Sequence, residues 1–323
     1  MDRGVGRVAA SVKLSSRLAV MLAVMITRRA FAAATGAALA LPSAIAGPGL
    51  AAPSPVEAAF AGIESVMGGR LGVAALDTGS GRRLSYRADA RFPLCSTFKL
   101  LAAAAILAHV DDGREQLGRR VPYEAADLVD HSPTTKAHLA EGAMPLGDLC
   151  EAAITLSDNT AGNLMLAQIG GPAGLTAFLR DGGDGVTRLD RTEPDLNEAL
   201  PDDPRDTTSP AAMVANLNRL LLGEALSAGS RARLRTWMLA ARTGGSRLRA
   251  GLPQDWRVGD KTGTGERGTA NDVGILLPPG GAPILAAVYL TGSTGSPEQR
   301  NTAIADVARA LYAALAGRPG TAP

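Results

Sequence analysis

Cysteine, histidine, lysine and aromatic residues are all scarce in this chain of 323 residues, and each scarcity excludes something. There are two cysteines, Cys95 and Cys150, and three histidines, His109, His131 and His138. They make no zinc-type spacing and no H-E-x-x-H, so neither a metal nor another cofactor is expected. The two thiols are expected to be free, with Cys95 buried. Aromatics are 3% of the residues, too few for base-stacking platforms. The arginines are scattered singly and the net charge is only +2, so no nucleic-acid partner is expected. The apolar run from Leu18 to Ile26 is too short to span a bilayer.

With 46% hydrophobic and 20% charged residues, the composition is that of a globular protein. The N-terminus carries the layout of a secretory signal. Thr27-Arg28-Arg29-Ala30-Phe31 precedes the Ala-rich run Ala32 to Leu41, and small-residue patterns follow at Ala44-Ile45-Ala46 and Leu50-Ala51-Ala52. The paired arginines resemble a twin-arginine signal. Residues 1–52 are therefore read as a removable leader. The expected location is the periplasm, or the medium if the host lacks an outer membrane, with no stable membrane anchor after processing.

Beyond the leader, the pattern predicts a helix over 53–66. A strand at Leu71 to Asp77, a tight turn and a second strand at Arg83 to Tyr86 follow. Thr97 to Val110 lacks Gly and Pro and reads as a buried helix. Helices continue over 146–170 and 172–180, then again from Ser230 to Ala241. Residues 181–210 form a long aperiodic stretch, the kind that is usually functional. Strands return from Trp256, with Asn271 to Leu277 and Ile284 to Leu290 flanking the turn Pro278-Pro279-Gly280-Gly281. Pro297 to Leu315 is an amphipathic helix. The order predicts an α/β fold of the α+β type, an antiparallel sheet built from both ends of the chain and flanked by the terminal helices. Residues 53–90 and 245–318 are assigned to that sheet domain. Residues 91–244, with the loop 188–206, are assigned to an inserted all-α domain.

Four short segments carry chemistry. In Ser96-Thr97-Phe98-Lys99, positions i and i+3 share a helix face, so Ser96 and Lys99 can touch. A serine hydroxyl needs a base to become a nucleophile. A lysine serves only when its amine is neutral, which burial and nearby positive charge favour. The bland alternative is a capping serine beside a surface lysine. In Ser157-Asp158-Asn159, the hydroxyl of Ser157 can relay a proton to a leaving nitrogen and Asn159 can bind a substrate amide; the alternative is a polar break between helices. Lys261-Thr262-Gly263-Thr264-Gly265 ends a predicted strand along which a substrate can lie, with Lys261 facing a carboxylate; the alternative is a turn. In Glu193-Pro194-Asp195-Leu196-Asn197, Glu193 can act on water as a general base and Asn197 can help hold that water; the alternative is an exposed acidic loop. Lysine usage is an independent argument. Only Lys13, Lys99, Lys136 and Lys261 occur beside 29 arginines, and arginine cannot deprotonate. Two of the four lysines fall inside these segments.

Together the four segments resemble the class A β-lactamases, whose signature is S-x-x-K, S-D-N and K-T-G. The resemblance extends through Leu94 to Leu100, Ala153 to Ala161, Arg188 to Pro194 and Arg205 to Pro210. It implies a β-lactamase/transpeptidase-like fold and a small-molecule β-lactam substrate, such as a penicillin or cephalosporin, for a protein expected to be a monomer. Ser96 would be the acylated nucleophile, Lys99 and Ser157 parts of the proton network, and Glu193 the deacylation base with Asn197 beside the water. The N–H groups of Ser96 and Thr264 would form the oxyanion hole. Lys261, Thr262, Gly263 and Thr264 would line the carboxylate site and Asn159 would meet the substrate amide. Arg191 and Asp206 would pin the ends of the long loop. Many relatives have an arginine where Ala270 stands; Arg247 resembles an alternative used by some and would help hold the carboxylate, the other reading being a surface arginine. His131 occupies a rim position often filled by an aromatic. The same acylation chemistry is also compatible with a penicillin-binding D,D-peptidase or a non-hydrolysing β-lactam sensor; Glu193 with Asn197 argues for turnover.

Overall fold

The structure is a computed structural model, and residues 54–316 are described; the expected leader, residues 1–52, lies outside them. Helix α1 (Pro55–Met67) opens on a capping box. The Ser54 side chain accepts from the Glu57 N–H and the Glu57 carboxylate accepts from the Ser54 N–H. Strands β1 (Arg70–Asp77) and β2 (Arg83–Tyr86) form the predicted hairpin. Strand β3 (Phe92–Pro93) leads through a single 3-10 turn, Cys95–Thr97, into α2 (Phe98–Asp111). Next come β4 (Arg120–Pro122), α3 (Pro133–Ala137), β5 (Ala143–Pro145), α4 (Leu146–Thr155), α5 (Asn159–Gln168) and α6 (Gly171–Asp181). The long loop ends at β6 (Thr207–Thr208), followed by α7 (Pro210–Leu221) and α8 (Ala228–Leu239). Strands β7 (Arg257–Gly265), β8 (Thr269–Leu277) and β9 (Ile284–Thr291) precede α9 (Pro297–Ala316).

The main sheet has the order β2-β1-β9-β8-β7, antiparallel throughout. The C-terminal strand β9 pairs with β1 from Arg70↔Thr291 to Asp77↔Ile284, so the two ends of the chain are joined in mid-sheet. Strand β7 lies at the edge, with one side unpaired by any other strand of the sheet. Because side chains alternate along a strand, β1 and β9 serve two cores. Leu71, Val73, Val288 and Leu290 face α1 and α9, where they pack with Phe60, Ile304 and Leu311. Ala74, Leu76, Leu285 and Tyr289 face the opposite way, into a core shared with α2 and the other helices. Every residue of α2 from Phe98 to Leu107 is buried, Lys99 included, which identifies it as a central helix.

Sequence and structure part in a few places. The helix predicted over 146–170 is broken at Leu156–Asp158, where Ser157 takes φ +60° and Asp158 caps α5 by accepting from the Ala161 N–H. Periodicity missed α7, although Ser209 caps it and Pro210 opens it. Helix α8 starts at Ala228, earlier than the predicted Ser230, because Ser227 supplies its cap. The short pairings β3–β6 and β4–β5 are too brief to show a period. The described residues form one compact unit, and no helix among them is long and apolar enough to cross a membrane.

Candidate active site

Four pieces of chain bring the predicted side chains together: the turn into α2, the break between α4 and α5, the long loop that carries Glu193 and Asn197, and edge strand β7. The turn presents Ser96 directly after Cys95, a non-glycine residue held at φ +44°. Ser157, His131 and Asp206 are likewise left-handed, so costly backbone conformations cluster around the site. Each is fixed from outside. The Nδ2 group of Asn271 on β8 donates to the carbonyls of Pro93 and Leu94 at 2.9 and 3.2 Å, and the Leu94 N–H donates to the Asp206 carbonyl at 2.8 Å. The segment before Ser96 is thereby tied both to the sheet and to the long loop.

Ser96 Oγ donates to Glu193 Oε1 at 3.0 Å and accepts from Lys99 Nζ at 3.0 Å. Lys99 is fully buried and also reaches the Ser157 carbonyl at 2.8 Å and Asn159 Oδ1 at 2.5 Å. Its Nζ stands 3.0 Å from Glu193 Oε1 as well. Burial pushes the Lys99 ammonium below the ordinary lysine value, while the carboxylate of Glu193 pulls it back up. The close approach of α5 to this amine depends on Gly162, because a Cβ there would lie 2.8 Å from Lys99 Cε. Ser157 Oγ accepts from Lys261 Nζ at 3.0 Å. Lys261 also donates to the Thr262 carbonyl at 2.8 Å. It is fully buried, and burial, then the nearby Lys99, hold its pKa well below the lysine range.

Glu193 is only 2% exposed, so the exposed-loop alternative does not describe it. Its Oε2 accepts from Asn197 Nδ2. Its backbone is gripped from both sides by Asn163 on α5: Nδ2 donates to the Glu193 carbonyl and Oδ1 accepts from the Glu193 N–H, both at 2.9 Å. The ends of the loop meet through Asp206, which is 1% exposed. Its carboxylate pairs with Arg191 Nε at 2.6 Å and accepts from the N–H groups of Asp190 and Arg191. Arg191 also pairs with Glu198 at 2.7 Å.

On β7, Thr262 Oγ1 donates to Thr243 Oγ1 at 2.6 Å, and Thr264 is exposed beside the site. Gly265 lets strand, turn and loop converge, since a Cβ there would stand 2.7 Å from Cys95 Sγ and 2.8 Å from the Asn197 carbonyl. Arg247 lies beneath this edge, 8% exposed. It donates to the carbonyls of Gly263 and Asn271, to Asn301 Oδ1, and to Thr264 Oγ1 at 2.7 Å. Asn159 spends its amide within the protein, accepting from Lys99 and donating to the Asp130 carbonyl at 2.9 Å. His131 sits at the rim with Nε2 3.0 Å from the Leu156 carbonyl. Cys95 and Cys150 are both buried and unbonded to each other, and burial pushes both thiols up.

Sequence reasoning missed Asn163 and Asn271. Asn163 stood four residues after Asn159, on the same face of a helix. Asn271 stood beside Asp272, two polar residues leading into the apolar run Val273 to Leu277 of β8. Both signals were present, but neither says what the side chain grips.

A family profile described as the β-lactamase enzyme family matches residues 55–315. An ancestral class A β-lactamase is 60% identical with a TM-score of 0.79, covering 80% of this chain and 100% of its own. The class A β-lactamase of the last common ancestor of Gram-negative bacteria is 60% identical with a TM-score of 0.80, covering 81% of this chain and 99% of its own. PenP of Rhodopseudomonas palustris, assigned to class A β-lactamases, is 58% identical with a TM-score of 0.80, covering 81% and 100%.

Proposed function

The chain belongs to the β-lactamase enzyme family, class A, whose members are serine hydrolases of β-lactams, and from that premise we propose the part each residue plays. The observation that carries the reading is the shared contact of Ser96 Oγ, Lys99 Nζ and Glu193 Oε1, each about 3.0 Å from the next in a buried pocket. Ser96 Oγ attacks the β-lactam carbonyl carbon. Its hydrogen bond already points to Glu193 Oε1, so the carboxylate is the group set to receive its proton, with Lys99 holding the oxygen in place. The oxyanion that forms is met by the N–H groups of Ser96 and Thr264. The C–N bond then breaks: Ser157, lying between Lys99 and Lys261, gives its hydroxyl proton to the departing nitrogen and is resupplied from Glu193 through Lys99, so the carboxylate is ionised again before water is attacked. In the second half, Glu193 takes a proton from water that Asn197 helps to orient, the hydroxide attacks the Ser96 ester, and Glu193 returns the proton to Ser96 Oγ as the acid product leaves.

Lys261, Thr262 and Thr264 receive the substrate carboxylate beside Gly263 on the open edge of β7. Arg247 acts through the Thr264 hydroxyl that it holds, rather than as a free surface charge. Asn159 positions Lys99 first, and meets a substrate amide only by exchanging a present partner. The protein works as an exported monomer in the periplasm, or in the medium where there is no outer membrane. Support for export is the arginine-pair leader in the sequence; support for the monomer is that the large hydrophobics exposed among the described residues are only Val66 and Tyr312.

The test is mass spectrometry of wild type, Ser96→Ala and Glu193→Ala mixed with a chromogenic cephalosporin. Wild type turns over, Ser96→Ala forms no adduct, and Glu193→Ala, in which Lys99 takes over the serine proton while no base remains for water, accumulates one. Equal adduct on wild type and Glu193→Ala would remove Glu193 from deacylation.

A further inference from the structure

A cavity of about 390 Å³ lies behind the long loop, outside the machinery described above. One wall is the loop stretch 199–204; the others come from the starts or ends of β1, β3 and β9 and from the β7–β8 turn. Arg70, Arg91 and Arg267 line it. The Arg70 guanidinium lies 4.8 Å from the centre of the Phe92 ring and donates to the Arg91 carbonyl at 3.1 Å. Arg91 donates to the Val186 carbonyl and to Thr207 Oγ1, both at 2.9 Å. Arg267 stands in the β7–β8 turn at φ +51°, with its carbonyl accepting from the Gly292 N–H at 2.8 Å. Among the described residues, none of these three arginines is in an ion pair. Two acids also line the cavity. Asp203 is already bound by Arg205 at 2.6 Å, which leaves Asp202 as the other acid among three lining arginines.

We propose that this cavity binds a small polyvalent oxyanion, either phosphate or a compact di- or tricarboxylate. The guanidinium fork matches the oxygens of either group, and two of the three forks are already held by neutral partners, so less freedom is lost on binding. The volume suits a small molecule rather than a peptide segment. An anion seated there links the loop stretch 199–204 to β1 and to the β7–β8 turn, so its occupancy stiffens the far side of the loop that carries Glu193.

The experiment titrates the full protein with inorganic phosphate, and separately with citrate, at ionic strength held constant with sodium chloride. Backbone amide NMR shifts are the readout. The expected result is saturable shifts at Gly69, Arg91, Asp203 and Gly292, with roughly tenfold or weaker binding in the double variant Arg70→Ser/Arg267→Ser. Cephalosporin turnover in phosphate-free buffer is unchanged in that variant. Whichever anion saturates at the lower concentration identifies the chemistry of the occupant. If the double variant folds poorly, Arg267→Ser alone, at an exposed turn, weakens binding in the same direction. Shifts that fail to saturate, that are confined to Ser96 and Lys261, or that are equal in wild type and variant would overturn the proposal.

Discussion

Lys261 illustrates how burial turns an ordinary side chain into a pH-sensitive one. Its pKa is held well below the lysine value by burial and by Lys99, so it loses its charge at a lower pH than an exposed lysine would. The attraction for a substrate carboxylate is present below that depressed value and fades as pH rises through it. KM for a chromogenic cephalosporin should therefore climb on the alkaline side, before pH 10.5 is reached. Lys261→Arg keeps its charge throughout, so its KM should stay flat over the same range, whatever its absolute rate. Parallel KM profiles in the two proteins would count against this role. Asn163 is a positioning residue: it touches only the backbone of Glu193. Asn163→Ala loses two hydrogen bonds worth about 1 kcal/mol each, so it should slow deacylation by up to roughly thirtyfold and produce a burst of acyl-enzyme. Stopped-flow traces without a burst, at unchanged kcat, would show that Glu193 holds its place unaided.

Among the elements, the long loop matters most, because it has little regular structure beyond the turn Asp195–Asn197 and is shaped by its ends. Asp206 is buried and receives one guanidinium and two backbone N–H groups. Removing Arg191 leaves that carboxylate with the N–H groups alone, at a cost of about 3 kcal/mol. Arg191→Ala should open the loop to limited proteolysis between residues 190 and 206, and alter the ranking of penicillins against cephalosporins. Unchanged cleavage together with unchanged kinetics would show that the Asn163 clasp and the backbone bonds suffice. Edge strand β7 illustrates the other principle: its position at the end of the sheet leaves one edge without a strand partner, the edge we propose for the substrate, and Arg247 braces it through the Gly263 carbonyl.

For the whole molecule, the sheet is the shared wall of two cores, and β9 contributes to both. Leu101 belongs to the core on the helical side and Leu290 to the core under α1 and α9, each fully buried. Leu101→Ala and Leu290→Ala should each destabilise by about 2–5 kcal/mol and lower the melting temperature by roughly 5–15 °C. Because the strands between the cores are common, each variant should melt in one transition as the wild type does. Differential scanning calorimetry resolving two transitions in either variant would mean that the cores unfold separately.

The sequence by itself determined the elements with a strong period and the segments with distinctive chemistry. The sheet strands, α1, α2 and α9, and the residues Ser96, Lys99, Ser157, Glu193 and Lys261 were all legible, because alternation, helical spacing and four short motifs are local properties of the chain. The break at Ser157 was legible only as the alternative reading of Ser157-Asp158-Asn159 as a polar break between helices, since a left-handed serine is stabilised by what surrounds it: the carbonyl of that same residue receives Lys99, and its hydroxyl receives Lys261. Only the tertiary structure decided that Asn163 grips the backbone of Glu193, that Asn271 ties β8 to the approach to Ser96, and that Arg247 is spent on strand edges and Thr264. It also decided the environment on which the chemistry rests. Burial lowers the Lys99 and Lys261 pKa values, and burial is a sum over packed neighbours from distant parts of the chain, which no local pattern records.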